Sequence, residues 1–280
     1  MRFLGLLLLG VVSSGWAEPL ALRLTFKPAA CWEFRESLRG SGELTRHLAS
    51  GDQVVRLDAT AINRRAWRVE SAEGELVTLT AVSAPTETKL VLPDATFEDK
   101  RPWRAFRLAV TADGALQSAE VLPAEEGDAS AEPEEVTPLP LDLDLGEVFA
   151  MLELGMLPPK ALEPGESWEV ARDGAGQAAV SGRLIEVLGE AAEQLAVLET
   201  RYQAPVPEMT TPAAGVVVSG SLSGLAQVRF EVAAGRVRSA RGPLDLRLQF
   251  RRRGNEAILA TVNLRLELDV AAVDQPAPRG

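Results

Sequence analysis

The 280-residue chain is poor in the side chains that most enzymes use for catalysis and metal binding. It has one histidine, His47, and one cysteine, Cys31, so a single chain can assemble neither a histidine-based zinc site nor a Ser-His-Asp triad. His47 falls in a predicted strand over residues 45–49, where an exposed or hydrogen-bonded imidazole is the usual arrangement. Cys31 has no partner for a disulfide, and we interpret it as an inert small residue beside Trp32. We expect no metal, no cofactor and no catalytic residue.

Aromatic residues are also scarce, at 5% of the chain. A glycosidase needs two carboxylates that converge on a cleft with sugar-stacking rings, and this composition disfavours such a site. Glu33 and Glu169 each follow a tryptophan of a repeated motif, and we interpret both as outward strand residues. A hydrolase that uses Glu33 and Glu169 is the alternative interpretation.

Basic residues are outnumbered, with 29 Lys and Arg against 40 Asp and Glu and a net charge of −11. Nucleic-acid binding needs cations clustered over a continuous face, so we expect no nucleic-acid partner. The one concentrated positive feature is Arg251-Arg252-Arg253, which we interpret as protection of a hairpin mouth against edge pairing. The alternative is contact with an anionic ligand, such as a lipid head group or an acidic glycan.

No apolar run reaches the length of about twenty residues that a membrane-spanning helix needs. After one arginine, an apolar run over residues 3–12 leads to Gly15 and Ala17. This order is typical of an export signal that is cleaved before Glu18. We therefore predict a signal peptide over residues 1–17 and a soluble mature chain without a membrane span, periplasmic or extracellular.

Two short motifs occur twice, in the same order. Residues 28–34 (PAACWEF) are echoed by 164–170 (PGESWEV), and residues 114–119 (GALQSA) by 235–240 (GRVRSA). A repeated order of motifs indicates a duplicated module.

Alternation of apolar and polar residues dominates the second repeat. It runs from Val216 to Val232, where Gly220 and Gly224 are the predicted bends, and it continues on both sides of Gly254-Asn255. Gly-Asn between two alternating runs predicts a hairpin. We predict an all-β fold with a minor α component, in which two repeated antiparallel sheets of long bent strands form a sandwich or half-barrel.

Between the repeats, an acidic stretch rich in Ala and Pro precedes apolar residues at helical spacing, which predict one helix over about residues 145–155. The acidic stretch as a calcium-binding surface is an alternative, but its spacing matches no calcium loop. The predicted segments are a first β repeat over 18–122, an acidic linker over 123–141, a connecting helix within 142–160, a second β repeat over 161–273 and a flexible tail over 274–280.

Trp32 and Trp168 are predicted to anchor equivalent core positions, because large rings bury the most area. Trp67 and Trp103 either pack in the same way or line a groove. The candidate groove residues are Trp67, Trp103, Val218, Leu222, Val228 and Phe230.

The stretch from Leu157 through Pro164-Gly165-Glu166-Ser167-Trp168 resembles the midpoint of exported bacterial proteins classed as domains of unknown function. In those families a similar Pro-Gly-x-x-Trp opening begins each of two β-rich halves; the first copy here has Ala29 in place of the glycine. The resemblance implies no catalytic residues. In architecture, the chain is similar to periplasmic lipoprotein carriers, and that likeness implies an apolar groove.

These observations lead to a non-catalytic, exported protein of the cell envelope that acts as a protein-binding or structural module. The alternative is a carrier of a lipid or acyl chain in a groove of the curved sheets. The expected partner is therefore a second protein or, for a carrier, an apolar ligand.

Overall fold

The computed structural model describes residues 19–26, 30–73, 76–102, 105–111, 116–122, 157–170, 179–190, 193–210, 215–254 and 257–273. Within these residues the chain is almost wholly β-strand, which confirms the all-β fold class. The predicted signal peptide, acidic linker, helix over 145–155 and C-terminal tail lie outside the described residues.

Alternating apolar and polar segments form thirteen strands in this part of the chain. They are β1 (Cys31–Leu48), β2 (Gly51–Glu73), β3 (Leu76–Ser83), β4 (Pro85–Val91), β5 (Thr96–Pro102), β6 (Phe106–Thr111), β7 (Leu116–Val121), β8 (Ser167–Val170), β9 (Ala179–Leu188), β10 (Leu195–Thr210), β11 (Val216–Glu231), β12 (Arg236–Arg252) and β13 (Ile258–Val273).

These strands belong to one antiparallel sheet, so the two halves are not separate sheets. The order is β7-β6-β3-β2-β1-β13-β12-β11-β10-β9-β8, and β4 pairs with β2 and β5 beside this path. The halves meet at the β1–β13 ladder, which runs from Glu33 opposite Val273 to Arg46 opposite Ala260. In the long β1–β2 hairpin, β1 pairs with β2 along one edge and with β13 along its other edge. Alternation within a single strand does not predict which strands will pair.

Both halves follow the same meander. β1, β2, β3, β6 and β7 are neighbours in that order, as are β8, β9, β10, β11 and β12. The second strand of each half has a β-bulge, at Glu70 in β2 and at Ile185 in β9. The fifth strand of each half has another, at Gln117 in β7 and at Arg238 in β12. Gln117 and Arg238 occupy the same place in the repeated GALQSA and GRVRSA motifs.

One face of the sheet is apolar and forms the core. In β12, for example, Leu244, Leu246 and Leu248 are buried, whereas Asp245 and Arg247 between them are exposed. The buried residues of both halves form a single cluster across the β1–β13 junction. Period-2 alternation places the apolar side chains of both halves on the same face of the sheet, where they are buried together in one core.

The N-terminal segment over residues 19–26 adds to the core of the second half. Leu22 and Leu24 are buried, and Leu20 exchanges two backbone hydrogen bonds with Leu162. Farther along, the Thr25 amide donates to the carbonyl oxygen of Gly235 at 2.9 Å.

The predicted hairpin at Gly254 is confirmed, since β12 and β13 pair antiparallel around it and Gly254 has φ of 75°. β11 continues through both glycines that were predicted as bends. A Cβ on Gly220 would lie 2.0 Å from the Arg247 carbonyl oxygen, and a Cβ on Gly224 would lie 2.2 Å from the Tyr202 hydroxyl. Both glycines are therefore needed for close approach of neighbouring groups.

Candidate functional site

Five of the six candidate groove residues lie in the core, with exposed fractions between 0% and 4%: Trp67, Val218, Leu222, Val228 and Phe230. The side chains of these five residues are therefore covered almost completely by other protein atoms. Trp103 lies outside the described residues.

The two tryptophans of the repeated motif are packed differently. Trp168 on β8 is buried, and its ring lies over Gly182 of β9, where a Cβ would be only 2.3 Å from the ring. Trp32 on β1 is half-buried, with its ring centroid 5.4 Å from that of Phe26. The β2 residue opposite Trp32 is Trp67, which takes the buried position in this half.

The two glutamates that follow these tryptophans are far apart in the sheet. Glu33 Oε1 lies 3.7 Å from Nη1 of Arg64, and Glu169 is exposed. Five strands separate β1 from β8 in the sheet order, so Glu33 and Glu169 do not lie on neighbouring strands.

The three consecutive arginines lie at the β12–β13 hairpin. Arg251 Nη2 donates to Glu208 Oε2 at 3.0 Å and to Ser219 Oγ at 3.2 Å. Arg252 and Arg253 are exposed.

His47 and Cys31 lie at opposite ends of β1. His47 Nδ1 is 2.9 Å from Asp52 Oδ1 across the β1–β2 hairpin. Cys31 is exposed at the edge of a depression of about 270 Å³, which is lined by Cys31, Trp32, Glu33, Phe34, Arg236, Ala272 and Val273. Arg236 Nε donates to Glu231 Oε2 at 2.6 Å, so a carboxylate already compensates this cation. The depression is smaller than most small-molecule sites, which have volumes of about 300–1,000 Å³.

A polar cluster that we did not predict from the sequence lies inside the first half. Its members are buried on β1, β2, β3 and β4: Glu36, Asn63, Arg65, Ser83 and Thr86. The Glu36 and Arg65 side chains are both 0% exposed, and Arg65 Nε lies 3.2 Å from Glu36 Oε1. These two residues form an ion pair within the apolar core.

Asn63 connects the members of this cluster. Its Nδ2 donates to Glu36 Oε2 at 2.7 Å and to Ser83 Oγ at 3.4 Å. Its Oδ1 accepts a hydrogen bond from Thr86 Oγ1 at 3.1 Å. One amide on β2 therefore joins β1, β3 and β4 through side chains.

Arg65 also lies over the aromatic ring of Phe106. Its guanidinium carbon lies 5.1 Å from the centroid of Phe106, and Phe106 meets Trp67 edge-on at 5.9 Å. A buried charge is strongly unfavourable unless it is paired, and here a carboxylate and a ring face compensate the cation. The directed hydrogen bonds suit the cluster to fixing the relative positions of four strands.

A sequence signal for this cluster does exist. Glu36 falls between the inward residues Phe34 and Leu38, and Arg65 falls two residues before Trp67. A charged residue at an inward position of an alternating run indicates a buried charge that needs a partner.

In the second half, the notable buried polar side chain is Tyr202. Its hydroxyl lies next to Gly224 and has no hydrogen-bond partner among the described residues. Burial, with a smaller contribution from the nearby Asp245 carboxylate, raises the pKa of Tyr202.

In the described ranges, no group of three or more His, Cys, Asp or Glu side chains is placed to hold a metal ion. The same part of the chain contains no helix that is long and apolar enough to cross a membrane.

Comparisons with known proteins show no family for this chain. No family model matches it, and no curated protein does. Among solved structures it is similar to DynF from the dynemicin biosynthesis pathway of Micromonospora chersina, at 8% identity over 94% of this chain and 88% of that chain. The TM-score of this match is 0.25, which is too low to support an argument about function.

Proposed function

We propose that the protein is an exported, non-catalytic protein of the cell envelope that acts as a protein-binding or structural module. The observation that carries this proposal is the burial of the side chains on the apolar face of the sheet. Side chains such as Leu222 and Phe230, which a carrier would need to line a groove, are covered by other protein atoms. The outer surface and the sheet edges are then the surfaces available for binding.

Native mass spectrometry of protein from its own host tests this proposal against the carrier alternative. We expect the mass of the polypeptide alone, because side chains of the apolar face such as Leu222 and Phe230 are already covered by other protein atoms. Co-purified lipid would favour the carrier if it is lost in a Leu222→Trp variant, which enlarges a buried side chain, but kept in Arg247→Gln, which changes an exposed one.

The edge strands of the sheet are the candidate surfaces for a protein partner. Among the described residues, β7 and β8 end the sheet order and β5 pairs only with β4, so these three strands form the edges of the sheet. A photo-crosslinking residue at Ser118 on β7 should give protein adducts in the host envelope. The same residue at Arg229 on the central strand β11 is the matched control, and equal adducts from both sites would contradict edge binding.

The export and the duplication are part of this proposal. N-terminal sequencing of the protein from its host should begin at Glu18, whereas a sequence beginning at Met1 would exclude a cleaved signal. The matching bulges of β2 and β9, and of β7 and β12, support an origin of the two halves as copies of one module. An experimental structure with bulges at unmatched positions would contradict that origin.

A further inference from the structure

Three large aliphatic side chains are exposed at one end of the sheet. Leu48 is 50% exposed, Val54 58% and Ile258 38%. Leu48 ends β1 at the β1–β2 turn, and Val54 lies opposite Thr45 of β1. Ile258 begins β13, two residues before the pairing of Ala260 with β1. We call the described residues at the tips of the β1–β2 and β12–β13 hairpins, 45–56, 251–254 and 257–258, the hairpin end.

The hairpin end is also rich in arginine, although the chain as a whole has a net charge of −11. Its exposed or half-buried arginines are Arg46, Arg56, Arg251, Arg252 and Arg253. The sequence of the two tips contains two acids, Asp52 and Glu256, against these five arginines. Asp52 lies 2.9 Å from His47, and Glu208 of the neighbouring β10 lies 3.0 Å from Arg251. Exposed aliphatic side chains and arginines therefore lie at the same end of a protein whose net charge is negative.

We propose that the hairpin end docks on the surface of an anionic lipid bilayer. Leu48, Val54 and Ile258 enter the boundary between head groups and acyl chains, while the arginines contact lipid phosphates. Shallow burial of apolar side chains and attraction to anionic lipid are the two contributions that hold peripheral proteins on membranes. This inference goes beyond the proposed function, because it names a lipid surface and does not depend on the sheet edges.

Charge complementarity favours a bilayer over a second protein. Guanidinium groups bind phosphate through paired hydrogen bonds, and a lipid surface presents phosphates beside an apolar layer that can receive the aliphatic tips. An acidic glycan offers the anions but no apolar layer, so only the arginines would contribute to its binding.

Co-sedimentation of the full chain with vesicles tests the proposal, using phosphatidylglycerol–phosphatidylcholine vesicles and pure phosphatidylcholine vesicles. We expect binding to the anionic vesicles that weakens with salt. The triple variant Leu48→Ser, Val54→Ser, Ile258→Ser should bind about tenfold more weakly or worse, because the apolar contribution is removed. The matched control is Leu76→Ser, Val82→Ser, Leu188→Ser, which changes similarly exposed residues outside the hairpin end.

The charge contribution is tested separately by Arg252→Gln, Arg253→Gln. Each arginine near an anionic surface contributes about 1 kcal/mol, so the loss of both predicts about 30-fold weaker binding. Arg39→Gln, Arg265→Gln, at exposed positions in the middle of the sheet, should bind like the parent. Circular dichroism of all variants checks that each is folded.

Any one of three results overturns the proposal. In the first, the parent protein does not bind anionic vesicles. In the second, the control variants lose as much binding as the test variants. In the third, the arginine substitutions weaken binding but the triple serine substitution does not. The last result would assign the arginines to an acidic polymer, such as a glycan.

Discussion

The two halves of the sheet share a strand order and two bulge positions but have different interiors at equivalent positions. Across the second and third strands, Arg65 faces Ser83 in the first half and Val180 faces Tyr202 in the second. Two residues farther along the second strands, Trp67 of the first half corresponds to Gly182 of the second.

The difference shows that two sets of side chains can form the core beneath equivalent strands. In the first half Trp67 fills the core from the second strand, and the adjacent ion pair is compensated by Asn63 and Phe106. In the second half the first strand supplies Trp168, and Gly182 makes room for its ring. The first half thus depends on directed polar contacts, and the second on close packing. The predictions below test this contrast, from the largest expected effect to the smallest.

The largest effect is expected for the buried ion pair. Glu36→Ala should lower the free energy of unfolding by about 3–5 kcal/mol, because it leaves the Arg65 charge buried without its carboxylate. Val180→Ala at the position equivalent to Arg65 should lower it by only about 2 kcal/mol, the contribution of two buried methyl groups. Denaturant unfolding of both variants measures the difference, and equal losses would contradict the contrast.

Replacement of both ionic partners should reverse most of this loss. The Glu36→Leu, Arg65→Met variant removes both charges together, so we expect a free energy of unfolding within about 1–2 kcal/mol of the parent or above it. If the double variant is as unstable as Glu36→Ala, the pair has a role beyond mutual compensation of charge.

A smaller effect is expected where the second half is closely packed. In Gly182→Ala the new methyl group would lie 2.3 Å from the Trp168 ring, which must then move. Overpacking of this kind lowers stability by about 1–3 kcal/mol. Ser181→Ala on the same strand is the control, and a thermal melt of Gly182→Ala like that of the control would show that Trp168 is loosely held.

Buried hydroxyl groups should differ between the halves. Thr86→Val removes the donor to Asn63 Oδ1 and should lower stability by about 1–2 kcal/mol. Tyr202→Phe removes a buried hydroxyl without a partner among the described residues, so we expect no loss at neutral pH.

The same tyrosine predicts a pH dependence. Because the folded-state pKa of Tyr202 is raised, the folded protein holds this proton more tightly than the unfolded chain. Its contribution to stability is full below the usual tyrosine pKa of about 10 and is lost as the pH rises above it. Alkaline melts should therefore fall less steeply for Tyr202→Phe than for the parent, and identical slopes would contradict the raised pKa.

The smallest effect is expected for Glu70, which lies at the bulge of β2; its counterpart at the bulge of β9 is Ile185, which carries no charge. A hydrogen bond from Thr80, together with the cation of Arg107, lowers the pKa of Glu70. NMR titration should place this pKa below the usual range for glutamate, and Thr80→Val should move it back toward that range. Any stability from this exposed group is present above the usual glutamate pKa and is lost as the pH falls through the lowered value. An unshifted pKa in the parent would show that the bulge does not organise these contacts.

Local patterns predicted several parts of the fold. The alternation in β11, β12 and β13 predicted long strands with one buried face, and Gly254-Asn255 predicted the hairpin between β12 and β13. These features depend on neighbouring residues, so a short window of sequence contains the information that they need.

The candidate groove shows the limit of such patterns. Alternation placed Leu222 and Phe230 on the apolar face, but the same pattern fits a groove and a filled core equally well. The polar cluster was missed because Glu36, Asn63 and Arg65 become partners only when β1 and β2 pair in one register.

The sequence by itself determined the all-β fold class, the alternation of buried and exposed residues in β11, β12 and β13, and the hairpin at Gly254, because these follow from local backbone preferences and period-2 burial. Only the tertiary structure decided that β1 pairs with β13 and that Glu36 meets Arg65. Both are contacts between distant segments of the chain, and their energies depend on strand register and on burial, which arise only when the whole sheet is assembled.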